Sequence, residues 1–181
     1  MRQTLSSLCA AAIALFATRD ARATNNWNQW DEDAASGVSR GATKLALGVD
    51  WAHVPDDHTL RFAVEGEHLL RDHWGIFGSA ALPFEGPWVA PLLAGVRFHL
   101  LPKTPIDPFA GIAGGVAWMR IDGRDARVDP MVSAQVGAAL YYFGLFFVQV
   151  EGRWDVARYS AAEGAIDRSG VVLDGKLGTY F

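Results

Sequence analysis

Two short stretches of this chain gather residue types that could do chemistry. In "EGRWDVARYSAAEG", Ser160 and Glu163 lie three positions apart. A serine hydroxyl becomes a useful nucleophile when an adjacent base takes its proton. No histidine follows His99 anywhere in the sequence, so Ser160 lacks its usual activating partner and nucleophilic catalysis is disfavoured. In "HVPDDH", one turn carries His53, Asp56, Asp57 and His58. Two imidazoles and two carboxylates are divalent-ion ligand types, but this spacing matches no standard site. A polar, water-facing turn is the better reading. His68 and His73 flank a second turn and read as solvated, while His99 reads as a hydrogen-bonding filler rather than a ligand. Glu151 and Arg153 resemble an acid/base pair, although two alternating charges inside a closed structure need only neutralise one another. No catalytic residue, metal ligand or cofactor-binding residue is assigned, and no enzyme activity is expected.

The elements that carry these residues share one pattern. After residue 43 the chain alternates large apolar residues with small or charged ones, the period of a strand with two unlike faces. In "TKLALGVDW", Leu45, Leu47, Val49 and Trp51 oppose Lys44 and Asp50. In "TLRFAVEGE", Leu60, Phe62 and Val64 oppose Arg61, Glu65 and Glu67. "HWGIFGSAAL" follows more weakly, and in "WVAPLLAGVRFHL" Leu92, Val96 and Phe98 oppose Arg97 and His99. A glycine-rich fifth stretch, "PFAGIAGGVAWMR", puts Ile112, Val116 and Trp118 on one face. Phe109 has the opposite parity there, which calls for a bulge or another face assignment. "MVSAQVGAALYY", "FFVQVEGRWDV" and the closing "GVVLDGKLGTYF" complete eight strands. The expected turns are "HVPDDH", "LLRD", "PFEGP", "LPKTPID", "DGRDARVDP", "YFG" and "ARYSAAEGAIDRS". Residues 121–130 and 157–169 are the two longest connections, and no stretch has a helical period.

The first 23 residues read as an address. Arg2 precedes an apolar run from Leu8 to Ala17, and Ala21-Arg22-Ala23 offers a small-x-small cleavage site, as in a secretory signal peptide. Residues 24–42 form a polar lead. The chain holds 16 basic and 20 acidic residues; the leader takes Arg2, Arg19, Arg22 and Asp20, leaving 13 against 19 and a formal charge of −6. That balance, without a basic stripe, gives no footing for nucleic acid. Cys9 is the single cysteine and falls in the leader, so the exported portion has neither disulfides nor thiol chemistry.

Alternation alone does not say which face is inside. A soluble barrel turns its apolar set inward, whereas a transmembrane barrel turns it to lipid and fills its lumen with the polar set. The aromatic residues break the tie. Threading the strands up and down puts Trp51, Trp88, Trp118 and Trp154 at one rim, and Trp74, Phe98, Tyr142, Phe146 and Phe181 at the other. Two aromatic belts are what membrane interfaces select. The opposite face collects Lys44, Asp50, Arg61, Glu65, Glu67, Arg97, Glu151, Arg153, Asp155, Asp174 and Lys176. Such charges can pair inside a narrow barrel. The expectation is therefore an all-β, eight-stranded antiparallel up-and-down transmembrane β-barrel over residues 43–181.

The stretch "WVAPLLAGVRFHLLPKTPIDPFAGIAGGVAWM", with the glycine-punctuated ending on phenylalanine, resembles the small eight-stranded outer-membrane β-barrels of the OmpA, OmpX and OmpW type. The resemblance covers most of residues 43–181. It implies the outer membrane of a Gram-negative-type cell, contact with its lipid and lipopolysaccharide, and recognition of Phe181 by the barrel assembly machinery, with Leu173 and Leu177 on the same face. Some barrels of this kind deacylate lipid A with a Ser–His pair, and Ser160 without a histidine departs from that pattern. The function expected is structural or surface-interacting, with outer loops open to extracellular ligands. A narrow channel or carrier for small or apolar solutes is the alternative, and a lipid A-modifying enzyme is the disfavoured third.

Overall fold

The computed structural model describes residues 40–54, 57–84, 88–120, 126–142, 146–161 and 164–181. The leader of residues 1–23 and most of the polar lead lie outside the described residues. Among the described residues nine strands are present: β1 (Thr43–Val54), β2 (Asp57–Arg71), β3 (Trp74–Pro83), β4 (Trp88–His99), β5 (Ile106–Arg120), β6 (Arg127–Tyr142), β7 (Phe146–Ala161), β8 (Gly164–Asp167) and β9 (Gly170–Tyr180). Each barrel strand pairs antiparallel with its sequence neighbour. β9 pairs both β7 and β1, so eight strands close into a ring and β8 stands outside it as a spur on β7. A closed ring leaves no unpaired edge, which a bilayer demands because it offers the backbone no water.

Away from the bulge in β2, the described side chains alternate between the two faces. Leu47, Val49, Val64, Leu92, Val96, Val132, Val136, Val150, Leu173 and Leu177 are exposed on the outer wall. All eleven charged residues assigned to the opposite face point into the lumen, each at most 6% exposed. An outer wall of aliphatic side chains over an ionic interior is the inverse of a water-soluble barrel.

At Phe109 the second of the two expected alternatives holds: β5 keeps an unbroken register with both neighbours and the ring faces the lumen, 2% exposed. The expected turns are corrected, beginning with a bulge between Leu69 and Arg71 in β2. The consecutive Leu69 and Leu70 interrupt the alternation, and the extra residue is absorbed there. β2 accordingly runs to Arg71, leaving Asp72 and His73 as the turn where "LLRD" was expected. β5 begins at Ile106, so Asp107 belongs to the wall rather than to a turn. The outermost connections are also partly strand: β6 begins at Arg127, and residues 158–161 of β7 pair with β8 as a hairpin standing beyond the ring.

Lumen glycines give the aromatic side chains room. Phe109 pairs across the strands with Gly137, and Phe147 with Gly178. A Cβ on Gly137 would lie 2.6 Å from the Phe109 Cζ, and one on Gly178 would collide with the Phe147 ring. Gly137→Ala is expected to destabilise the barrel by about 1–3 kcal/mol, the usual cost of forcing a packed core apart. Urea titration in lipid vesicles, scored by gel mobility, checks this. A Cβ on Gly152 meets nothing within 4 Å, and an equal loss for Gly152→Ala would defeat the explanation.

Candidate functional site

The charges of the lumen come from strands far apart in sequence and meet in three tiers. Nearest the end where Thr43 pairs with Phe181, His99 is completely buried between two carboxylates. Its Nδ1 lies 2.6 Å from Asp107 Oδ2 and its Nε2 2.7 Å from Glu67 Oε1. Neither carboxylate oxygen can donate when ionised, so the geometry calls for a proton on both ring nitrogens or on one of the acids. The Tyr141 hydroxyl donates to Asp107 at 3.4 Å. Lys44 Nζ stands 3.4 Å from Glu67 and over the rings of Tyr141 and Phe147.

The middle tier is organised by Arg97, which is 0% exposed. Its Nη1 donates to Glu65 at 2.7 Å and to Glu67 at 3.0 Å, and its Nη2 donates to Glu151 at 3.1 Å. The guanidinium is held between the rings of Phe77 and Phe109, 4.5 and 4.3 Å from their centroids. A planar cation between two π faces gains from both and is fixed in orientation. Lys176 closes the tier, 2.8 Å from Glu65 and 2.8 Å from Asp174. Gln149 donates to Glu65 at 3.1 Å and to Glu151 at 3.2 Å. The Gln135 amide, oriented so that both ends are satisfied, donates to Glu151 and accepts from Arg97.

In the third tier, Arg61 grips Asp50 with two bonds, 2.6 and 2.9 Å long, and reaches the Val89 carbonyl at 3.3 Å. Arg153 takes Asp155 in the same two-pronged manner and touches Asp50 at 3.4 Å. Beside these ions lies an apolar patch of Phe77, Leu93, Ala117, Met119, Met131 and Ala157.

Several bonds join strands that are not neighbours in the ring. Arg97 of β4 meets Glu151 of β7, Lys176 of β9 meets Glu65 of β2, and Gln149 of β7 meets the same Glu65. Chemically these groups lock one another. Both His99 nitrogens are committed, and the Glu151–Arg153 pair is one link of the network at 3.9 Å. Among the described residues, no group of three or more His, Cys, Asp or Glu side chains is placed to hold a metal ion.

Of the residues first singled out for chemistry, His53 and His58 are fully described. His53 and His58 face each other in the β1–β2 register, both exposed, with His53 stacked on Trp51 at 5.7 Å. Asp56 and the Asp57 side chain lie outside the described residues, as do Glu163 and the Ser160 side chain. Of the two turn histidines, His73 is exposed, as expected, and His68 is not. His68 is half-buried against Thr43 at 3.1 Å, and His73 Nδ1 donates to the His99 carbonyl at 2.7 Å. Gln135 and Gln149 sit on the face their parity gives them, whereas Asp107 was not read as a lumen residue. Asp107 lies two residues before Phe109, so extending the β5 parity backwards would have found it.

On the outer wall, Trp51 and Trp154 stand exposed at one end with Trp118 half-buried beside them. Trp74, Phe98, Phe146 and Phe181 stand at the other. Trp88 and Tyr142 occupy the expected backbone positions, and their side chains lie outside the described residues. Trp74 and Phe98 form an edge-to-face pair at 5.0 Å.

No family model matches the chain, and no curated protein matches it in sequence. Solved structures match it in fold. The outer membrane protein OprG of Pseudomonas aeruginosa superposes with a TM-score of 0.61 at 12% identity, over 80% of this chain and 98% of that one. The N-terminal β-barrel domain of OprF from the same organism gives 0.58 at 13%, over 80% and 100%. The Neisserial surface protein NspA gives 0.52 at 9%, over 77% and 94%. At such identities the likeness is one of fold: this chain folds as the small eight-stranded outer-membrane barrels do.

Proposed function

We propose that this chain, a transmembrane barrel of the small outer-membrane type, is a sealed scaffold that presents its outer hairpins at the surface of a Gram-negative-type cell. The observation that carries this reading is the set of side-chain bonds that tie non-adjacent strands of the ring together at the level of Arg97, Glu65 and Glu151, β4 to β2, β4 to β7 and β9 to β2. An eight-stranded barrel is just wide enough for its side chains to fill. A filled, cross-bonded interior leaves the structure rigidity rather than passage. Catalysis forms no part of the reading, since the buried titratable groups are committed to one another. Lipid and lipopolysaccharide meet the aliphatic belt, and any extracellular ligand meets the outer hairpins.

Planar-bilayer recording tests it directly. Purified protein is expected to give no resolved conductance steps, and stable steps from the wild type would overturn the sealed reading. The patch of Leu93, Met119 and Met131 in the lumen favours a second reading, a carrier for small apolar solutes. Uptake of such a solute into protein-loaded vesicles, above empty ones, would support it. Unaltered lipid A by mass spectrometry in producing cells is the result expected of a non-enzyme.

Phe181 is the residue proposed to meet the barrel assembly machinery. It is half-exposed and closes the ring through paired backbone bonds with Thr43, 2.8 and 3.0 Å long. Phe181→Ser is expected to lower the amount of assembled barrel in cells severalfold while leaving its urea midpoint after refolding into vesicles nearly unchanged. Equal cellular yields would remove this role.

A further inference from the structure

The turn between β2 and β3 carries an open groove of about 520 Å³, lined by Arg40, Arg71, Asp72, His73, Trp74 and Phe98. It lies on the end of the barrel where Thr43 pairs with Phe181, at the height of the lower aromatic belt. The bulge between Leu69 and Arg71 decides what the groove presents. Arg71 pairs in register with Trp74, and directly opposed residues on paired strands project from the same face. Arg71 is therefore set on the lipid side, beside an exposed belt tryptophan, rather than turned into the lumen. A bulge commonly re-aims a side chain in this way.

The other walls are held firm. His73 donates from Nδ1 to the His99 carbonyl at 2.7 Å and accepts the His99 amide through its own carbonyl at 2.9 Å. Its ring stacks on Phe98 at 5.7 Å, and Phe98 meets Trp74 edge to face. The acid in the groove is already occupied, because Lys103 Nζ binds Asp72 at 2.9 Å. That hydrogen bond holds the Asp72 carboxyl below its usual range. No carboxylate among the described residues pairs with the guanidinium of Arg40 or Arg71. Two unopposed arginines thus stand over an aromatic floor at the depth where lipid phosphates lie.

We propose that this groove binds the phosphodiester of an anionic glycerophospholipid in the leaflet at the rim of Thr43 and Phe181, with Arg40 and Arg71 on the phosphate and Trp74 and Phe98 against the glycerol and upper acyl chain. Arginine suits this task because its planar fork meets two phosphate oxygens at once. Charge complementarity selects the occupant, and the belt height selects a membrane lipid as its source. The inference rests on the membrane-spanning reading.

The test is native mass spectrometry of the full refolded chain offered phosphatidylglycerol and phosphatidylcholine at equal concentration. The wild type is expected to retain one phosphatidylglycerol in preference to phosphatidylcholine by about fivefold or more, the effect of a single well-placed basic residue at a membrane surface. The double variant R40Q/R71Q is expected to lose that preference. R120Q, which removes one exposed arginine at the opposite rim, is expected to keep it. A wild type without preference, or an equal loss in R120Q, would overturn the site. Gel mobility of unboiled and boiled samples separates the two readings. A heat-shifted protein that lacks the preference overturns the groove alone, whereas a protein without the shift overturns the barrel.

Discussion

Arg97→Met is expected to cost about 3–5 kcal/mol of folding stability, the scale on which a buried ion pair fails when one partner is removed. Methionine keeps most of the volume between Phe77 and Phe109 and packs well against aromatic rings, so the loss reports charge rather than a cavity. Arg97 is bound by Glu65, Glu67 and Glu151. Without it, Glu65 retains Lys176 at 2.8 Å and Glu67 retains Lys44 at 3.4 Å. Glu151 is left with cations only at 3.6 and 3.9 Å. Glu151→Gln in the same chain removes the least compensated acid, and the double variant is expected to recover about half of the loss or more. Such recovery is the signature of residues that share one network. Urea titration in vesicles measures all three proteins. A single variant within about 0.5 kcal/mol of the wild type, the range of an ordinary surface change, would show that the network does not hold the walls together.

The second large effect belongs to the outer wall. Val150 is 51% exposed and lies midway along β7 between Phe146 and Trp154, with Ala138 and Gly175 as its neighbours in register. Val150→Arg is expected to destabilise the barrel by about 2–4 kcal/mol, because a guanidinium at the middle of the hydrocarbon must distort lipid or climb to the interface. Val156 is similarly exposed, two residues beyond Trp154. Val156→Arg is expected to cost only about 0–1 kcal/mol at that depth. The contrast carries the argument, since the same substitution on a water-facing strand has no reason to depend on height. Equal costs at the two positions would show that the wall does not face lipid.

Much of this was legible before any coordinates. Parity along β1, β2, β4, β7 and β9 placed each of the eleven charged lumen residues, because a strand has only two faces and a closed barrel makes one of them interior. The sorting of tryptophans by height then chose which face that was. At Phe109 the broken parity left a bulge and another face assignment both open, and the second holds because the lumen accepts a phenylalanine when a glycine lies opposite, as Gly137 does. The failures also have local causes. The bulge at Leu69/Arg71 is signalled only by two adjacent leucines, which read equally well as the start of a turn. Asp107 was lost to a turn rich in proline, where propensity outweighed the parity of the strand behind it.

The partners inside the lumen are a different matter. Glu65 meets Gln149 and Lys176, 84 and 111 residues away, and Arg97 meets Glu151 across 54. Alternation states that each of these side chains points inward. It does not state at what height each strand sits against the next, nor which wall lies opposite. Those follow from ring closure and from the stagger of all eight registers together, a single condition that no segment satisfies alone. The sequence by itself thus determined the strands, their two faces and the side that meets lipid, since these depend on period two and on the chemistry of single residues. Only the tertiary structure decided that Arg97 would join three carboxylates between two aromatic rings, and that one bulge would turn Arg71 outward beside Trp74.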